Sequence, residues 1–382
     1  MKSYDKATLD DGITGSGMDS NALLETSTSS LDSLDSVESR GPSARIFDLD
    51  FEKYRLAGPS KSLSRRAIAS LSKRLNSIRF ETTLKSAVSI RGVGIHSGKQ
   101  AKCVLHPAEE GTGISFVRSD CLKNLRSEAS IKADISRVIR TDMSTTVGNG
   151  KTYVSTVEHL LAALRGMGID NVVVEIDGPE IPILDGSATV FCEAVLAAGY
   201  VVQAKPRKSL RVLKTVQVSA GDKWVQLKPS TGFEIQSAIE FAHPVIGRQQ
   251  FSYHSGVDFF GELSAARTFG FLKDVQALQE RGLAKGGSLD NAVVLDDYRV
   301  LNAEGLRFAD EFARHKVLDA IGDFALLGMP LLGAIELSKS GHELHVLAMK
   351  KLLEDPSNYE IVSDAVAAEA FVSQQEVATI LY

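Results

Sequence analysis

Three stretches of the chain gather side chains that can move protons or hold a metal ion. In "STVEHLLAALRGMG" (155–168), Val157, Leu160, Leu161, Leu164 and Met167 recur at helical spacing, Ser155 can cap the first turn, and Gly168 can end the last. Adjacent Glu158 and His159 lie in that first turn, off the apolar stripe. Two readings are open: Ser155 and Glu158 form a capping box, with the glutamate returning a hydrogen bond to the cap backbone, or the pair faces a site. A second helix is expected over "DEFARHKVLDAIGDFALLG" (310–328). At about 100° per residue, His315, Asp319 and Asp323 fall on one face, within about 80° of one another. Val317, Leu318, Ile321, Phe324 and Ala325 take the other side, and Arg314 falls among them with no evident reason. An imidazole and a carboxylate four residues apart project side by side, which suits a metal ion and equally suits a solvated ion pair. In "KSGHEL", His342 follows a strand at 331–337 across a turn at Gly341, as a catalytic group or as a structural or solvated histidine. His96 lies in "GVGIHSGK", whose glycines at 92, 94 and 98 fit neither dinucleotide-binding nor P-loop spacing. His106, His243, His254 and His345 join no constellation.

Such side chains need a scaffold, and 382 residues suggest two domains once a doubtful N-terminal stretch is set aside. With 43% hydrophobic and 24% charged residues the composition is that of a soluble globular protein, and a net charge of −5 gives no reason to expect nucleic-acid binding. No apolar run approaches the roughly 20 residues that cross a bilayer; the longest, from Phe324 to Leu337, is short. Three cysteines without C-x-x-C spacing indicate neither a disulfide framework nor a thiolate metal site, and fit a reducing cytoplasm. The acidic start lacks the basic and apolar regions of a secretion signal. Residues 1–80 read as a Ser/Asp-rich disordered tail. Within it, the stretch at 62–78 sets Leu63, Ile68, Leu71 and Leu75 among arginines and lysines, which suits an anionic membrane surface or a solvated helix. Beyond residue 80, "VGNGKTYV" predicts a hairpin, while "NVVVEI" and "LLGAIEL" predict buried strands. The basic neighbourhood of Pro206 marks a boundary near 204–209, between a first domain at 81–205 and a second at 206–382. Helices and strands mix without regular alternation, which predicts an α+β fold.

Taken in order, "STVEHL", "PEIPILDGSA", "ARTFGF", "RGLAKGGSLDNAVV", "DDYRVLN", "RHKVLDAIGD" and "KSGH" resemble the bacterial UDP-3-O-acyl-N-acetylglucosamine deacetylases of lipid A biosynthesis, from about residue 82 onward. The resemblance implies two related domains, each pairing sheet with two packed helices, and an active site at their junction. It implies Zn2+, or Fe2+, held by His159, His315 and Asp319, with a fourth position open for water as in catalytic rather than structural sites. Glu158 would then be the general base, His342 the cationic acid poised by Asp323, and the Thr268 hydroxyl a partner of the tetrahedral oxyanion. For a UDP-linked acylated amino sugar it nominates Lys223, Phe241, Phe269, Phe271, Lys316 and Lys339. It also assigns 269–300 to an acyl-chain passage, lined by Phe271, Val275, Leu278, Ala292 and Val294. The loop "TDMSTT" (141–146) has no cysteine where some relatives carry one.

The implied protein is a cytoplasmic monomer that touches the inner membrane peripherally at most. Two rivals stand beside it: a zinc amidase acting on another acylated amine, and a catalytically silent sugar-nucleotide binding protein. The apolar passage and the lysines set the first apart, and five intact acid–base and ligand residues the second.

Overall fold

A first sheet is built from β1 (Val88–Val93), whose first three residues are all buried, and from four strands in which every second side chain is buried, β2 (Gln100–Pro107), β3 (Ile114–Arg118), β4 (Ser130–Lys132) and β5 (Val172–Ile176). The period-2 alternation sends one face to the interior and one toward water. β5 lies in the middle, antiparallel to β2 and parallel to β3, in the order β1-β2-β5-β3-β4. The expected hairpin is present: Thr146–Gly148 pairs with Tyr153–Ser155 across residues 149–152. The computed structural model describes residues 79–363, so the tail reading up to residue 78 and the basic stretch at 62–78 fall outside the described residues.

Around Arg207 the chain changes sheets. Tyr200–Pro206 closes on Phe80–Leu84, and the next strand, β6 (Lys208–Val212), joins a second sheet. That sheet adds β7 (Val216–Ala220), β8 (Lys223–Lys228), β9 (Phe233–Glu240), β10 (Arg248–His254), β11 (Leu331–Ser338) and β12 (Tyr359–Ser363). β11 is its spine, antiparallel to β8 and parallel to β9 and β6.

Helices α1 (Glu158–Gly166) and α2 (Thr189–Ala198) come from the first half, and α3 (Leu272–Glu280), α4 (Glu311–Phe324) and α5 (His342–Glu354) from the second. α1 packs along α4; α4 also covers β9 and β10, and α5 covers β7 and β8. Leu160, Leu161, Leu164, Leu318 and Phe324 are all in one apolar cluster that runs between both sheets. The mixed layers are the expected α+β architecture.

Burial is more complete than an amphipathic reading of α1 and α4 implies. Eight of the nine residues of α1 are buried, as are Glu311, His315, Asp319 and Asp323 on the polar side of α4. Arg314 leaves the apolar sector: its guanidinium lies over the rings of Phe251 and Phe308, 4.2 and 4.4 Å from their centroids, and bonds Asp310 at 2.6 Å. A planar cation can stack on aromatic faces while its edge stays hydrogen-bonded, which explains its place.

Candidate active site

Gly322 decides how closely the two central helices meet. A Cβ there would lie 1.9 Å from the carbonyl oxygen of Glu158, so only glycine lets α4 rest on the first turn of α1. This contact brings the chemistry-bearing residues of both helices together.

The first group is His159, His315 and Asp319, all buried, with ligand atoms within 4.8 Å of one another. Asp319 Oδ1 stands 3.5 Å from His159 Nε2 and 3.2 Å from His315 Nε2. His315 Nδ1 donates to the Ala266 carbonyl at 3.1 Å, which turns its Nε2 lone pair toward Asp319. A carbonyl behind the ring is the usual way a ligating histidine is oriented. Donors about 2.1 Å from a tetrahedral ion stand roughly 3.4 Å apart, so the observed spacings fit such an ion. His159 Nδ1 is buried with no partner among the described residues. Burial alone would raise the Asp319 carboxyl, but His315, Lys316 and His159 hold it well below the ordinary carboxylate range, while burial pushes His315 down. An ionised carboxylate and unprotonated imidazoles are the states that bind metals.

The Ala266 carbonyl is itself held. Arg267, in the same loop, and Glu311, in the first turn of α4, form a buried pair at 2.9 Å, and Glu311 also accepts the Arg267 main-chain N–H at 3.0 Å. The "ARTFGF" stretch is thereby fixed to the helix that carries His315. Thr268 follows, its main chain bonded to Gly186 and Val293.

The second group centres on Asp323. Its Oδ2 accepts from His342 Nδ1 at 2.8 Å and His345 Nδ1 at 2.7 Å, and its Oδ1 from the Thr145 hydroxyl at 2.5 Å. Burial works against the charge, yet the two histidines hold Asp323 ionised, its carboxyl well below the ordinary range. Burial lowers His342, but Asp323 and then Glu158 outweigh it and raise it to about 9. His342 Nε2 faces Glu158 Oε1 at 3.9 Å, and Glu158 Oε2 accepts the Thr145 N–H at 3.1 Å. Burial raises Glu158 to about 7, against the opposing pull of His342 and His159.

These contacts settle the capping question. The N-cap of α1 is Val157 with no side-chain cap, Ser155 donates to the Pro179 carbonyl, and the Glu158 carboxylate goes to the Thr145 loop. The capping box is therefore absent: Thr156, at φ +56°, takes the backbone out of the geometry a box requires. His345 is the residue sequence reasoning missed. Read as lacking a constellation, it is a direct partner of Asp323, braced by Ser340 at 3.0 Å. Its signal was the three-residue spacing from His342, visible only once "HELH" is taken as the first turn of α5. Thr145 was hidden in a loop with no periodicity to place it.

Beside the first group lies an aromatic wall. Phe269 stands 6.4 Å from the His315 ring and 5.7 Å from Phe241; Phe241 is 5.9 Å from Phe271, and Lys316 Nζ lies 5.6 Å over Phe269. Lys316 also bonds Asp319 at 2.9 Å. Phe269–Phe271 runs parallel to Val293–Leu295 with α3 between them. No residue of α3 is buried, and Val275 and Leu278 are half-buried. Ala292 is buried and Val294 half-buried. Lys223 is exposed on β8, and Lys339 binds Asp222 and Glu240 at 3.0 and 2.6 Å. The His96 loop is a strut: its main-chain N–H groups at 96 and 97 bind the Glu180 carboxylate, and its carbonyls at 95 and 96 accept from Gly286 and Lys285.

Fold and site together define an α+β protein with a buried His-His-Asp centre of metal-binding type next to a buried Glu158–His342 pair. The sequence model of the UDP-3-O-acyl N-acetylglycosamine deacetylase family matches residues 81–354, and the chain belongs to that family. A UDP-3-O-acyl-N-acetylglucosamine deacetylase of Myxococcus xanthus (strain DK1622) is 49% identical over 283 residues, covering 74% of this chain and 89% of its own. The protein of that name from Brucella melitensis biotype 2 is 47% identical over 285 residues, 74% of this chain and 98% of its own.

Proposed function

We propose that the protein hydrolyses the N-acetyl group of UDP-3-O-acyl-N-acetylglucosamine, a step of lipid A biosynthesis. The observation that carries the reading is the convergence of three ligand-type side chains with a buried carboxylate and a buried imidazole of opposite proton demand. His159, His315 and Asp319 would hold the ion, zinc being the best match to two imidazoles and one carboxylate, with ferrous iron also compatible. When bound, it supplies Lewis acidity for the amide oxygen and for the attacking water.

The chain's own groups supply the proton transfers. Glu158, ionised, takes a proton from the water as its oxygen attacks the acetyl carbonyl carbon. Protonated His342 gives its Nε2 proton to the sugar nitrogen as the C–N bond breaks, so acetate and a free amine leave. Asp323 keeps His342 charged and aimed; the Thr268 hydroxyl would steady the developing oxyanion. Phe241, Phe269 and Phe271 would receive the acyl chain and Lys223, Lys316 and Lys339 the nucleotide sugar. With this reading go a division into domains at 81–205 and 206–382, a monomeric state and a cytoplasmic site of action. Among the described residues no helix is long and apolar enough to cross a membrane.

Mass spectrometry of products from purified protein incubated with the acylated UDP-sugar should show loss of acetyl, abolished by chelation and restored by added zinc or ferrous iron. No loss of acetyl with the metal-loaded protein, or equal turnover of acylated amines lacking the nucleotide, would overturn the proposal.

A further inference from the structure

Beside the proposed acid stands a buried imidazole to which the reaction gives no task. His345 is 1% exposed, and both of its ring nitrogens are taken: Nδ1 donates to Asp323 Oδ2 at 2.7 Å, and Nε2 lies 3.0 Å from the Ser340 hydroxyl. Its ring sits 5.9 Å from that of Phe324 and 6.2 Å from that of His342. It has no nitrogen left for substrate. Nor does it complete a second metal centre with Asp323 and His342. Its Nδ1 and that of His342 approach one carboxylate oxygen to 2.7 and 2.8 Å, the distance of hydrogen bonds. Donors around one tetrahedral ion stand farther apart, at roughly 3.4 Å.

What His345 touches is the carboxylate that aims the acid. Among the described residues, Asp323 is the one hydrogen-bond partner of the His342 ring, bound through Nδ1, while His342 Nε2 faces Glu158 Oε1 at 3.9 Å. Asp323 Oδ1 is held by the Thr145 hydroxyl. With that anchor alone the carboxylate would be free to swivel about its Cβ–Cγ bond, and Oδ2 would carry the His342 ring with it. His345 gives Oδ2 a second donor whose own place is fixed. Its main-chain N–H bonds the Gly341 carbonyl at 3.2 Å in the first turn of α5, and Ser340 braces the far side of its ring. Three residues apart on one helix, the two imidazoles reach the same oxygen from one face.

We propose that His345 is a positioning residue for proton delivery: its Nδ1–H pins the Asp323 carboxylate in the plane that directs His342 Nε2 at the leaving amine. The inference rests on His342 being the acid. A displacement of about 1 Å at a catalytic group can cost on the order of 100-fold in rate, and the loss falls on turnover, since His345 does not meet the substrate.

The test measures kcat and KM of the full, metal-loaded protein on the acylated UDP-sugar, with His345→Asn, His345→Gln and His345→Leu each made in the wild-type and in the His342→Ala background. An asparagine amide places an N–H where Nδ1 stands, a glutamine amide where Nε2 stands, and leucine offers neither. His345→Leu and His345→Gln should lower kcat by at least about tenfold, with KM within about twofold and bound metal unchanged. His345→Asn should bring kcat back to within about threefold of wild type. In His342→Ala none of the three should lower kcat further, because no acid is left to aim. Circular dichroism and a cooperative melt establish folding; if His345→Leu does not fold, the comparison of Gln with Asn decides. Wild-type kcat in the folded Leu and Gln variants, no recovery with Asn, or an equal fall in both backgrounds, the mark of a merely structural residue, would overturn the inference. Wild-type kcat in His342→Ala itself would instead overturn the reading of the acid, and this inference with it.

Discussion

Asp323 is held by three donors, two imidazoles and a hydroxyl. A carboxylate so satisfied stays ionised, and its charge is spent on keeping His342 protonated up to about 9. Glu158 has one main-chain donor and is raised by burial to about 7. A base is useful above its pKa and an acid below, so activity should rise with pH through the Glu158 limb and fall through the His342 limb. A cation beside His159 favours ionised Glu158 and moves the acidic limb below 7. In His342→Ala, metal content should be unchanged, turnover should drop by about 100- to 10,000-fold, and the basic limb should flatten while the acidic limb stays. Rate profiles from pH 5 to 10 with metal analysis check this; a basic limb that does not move would remove His342 as the acid. Glu158→Ala should likewise retain its metal and lose turnover by a similar general-base factor, whereas Asp319→Ala should lose metal, since it removes one of three ligand-type side chains. Metal loss in Glu158→Ala would instead make that residue part of the binding shell.

Between elements, the decisive contact is α1 on α4. The polar residues of one helix meet those of the other because Gly322 removes the bulk that would hold them apart. Gly322→Ala should cost about 1–3 kcal/mol by overpacking and should weaken metal binding, because pushing α1 away separates His159 from His315 and Asp319. Denaturant unfolding with competitive chelator titration reads both effects. A variant with wild-type stability and metal affinity would mean that the helices can shift apart without disturbing the site. The first turn of α5 adds a further constraint, since His342 and His345, three residues apart, close on the same carboxylate from one helix.

At the scale of the molecule, side chains from 145 to 345 meet in one place, so the site exists only when both halves are folded against each other. The first strand among the described residues is Phe80–Leu84, which pairs with Tyr200–Pro206. A chain lacking residues 1–75 should therefore keep wild-type turnover on soluble substrate, measured by acetate release. If the basic stretch at 62–78 meets membranes, the same chain should sediment less with anionic vesicles. Loss of turnover in a folded truncated protein would assign the N-terminal stretch a part in catalysis.

Local sequence determined a good deal here. The apolar period of 155–168 and the His315, Asp319, Asp323 face of the next helix follow from 3.6-residue geometry, as do the strand at 331–337 and the mixed α+β texture from alternation and turn residues. The ordered motifs determined the family, because seven short patterns in sequence specify more than any one of them. What periodicity does not carry is which faces touch. Whether Glu158 caps its own helix or serves a site depended on Thr156 turning the backbone and Thr145 arriving from a loop. Whether His345 was idle depended on α5 laying its first turn on Asp323, and whether Arg314 was misplaced depended on two distant rings. Those are contacts between residues far apart in the chain, set by how whole elements pack, and only the tertiary structure decides them.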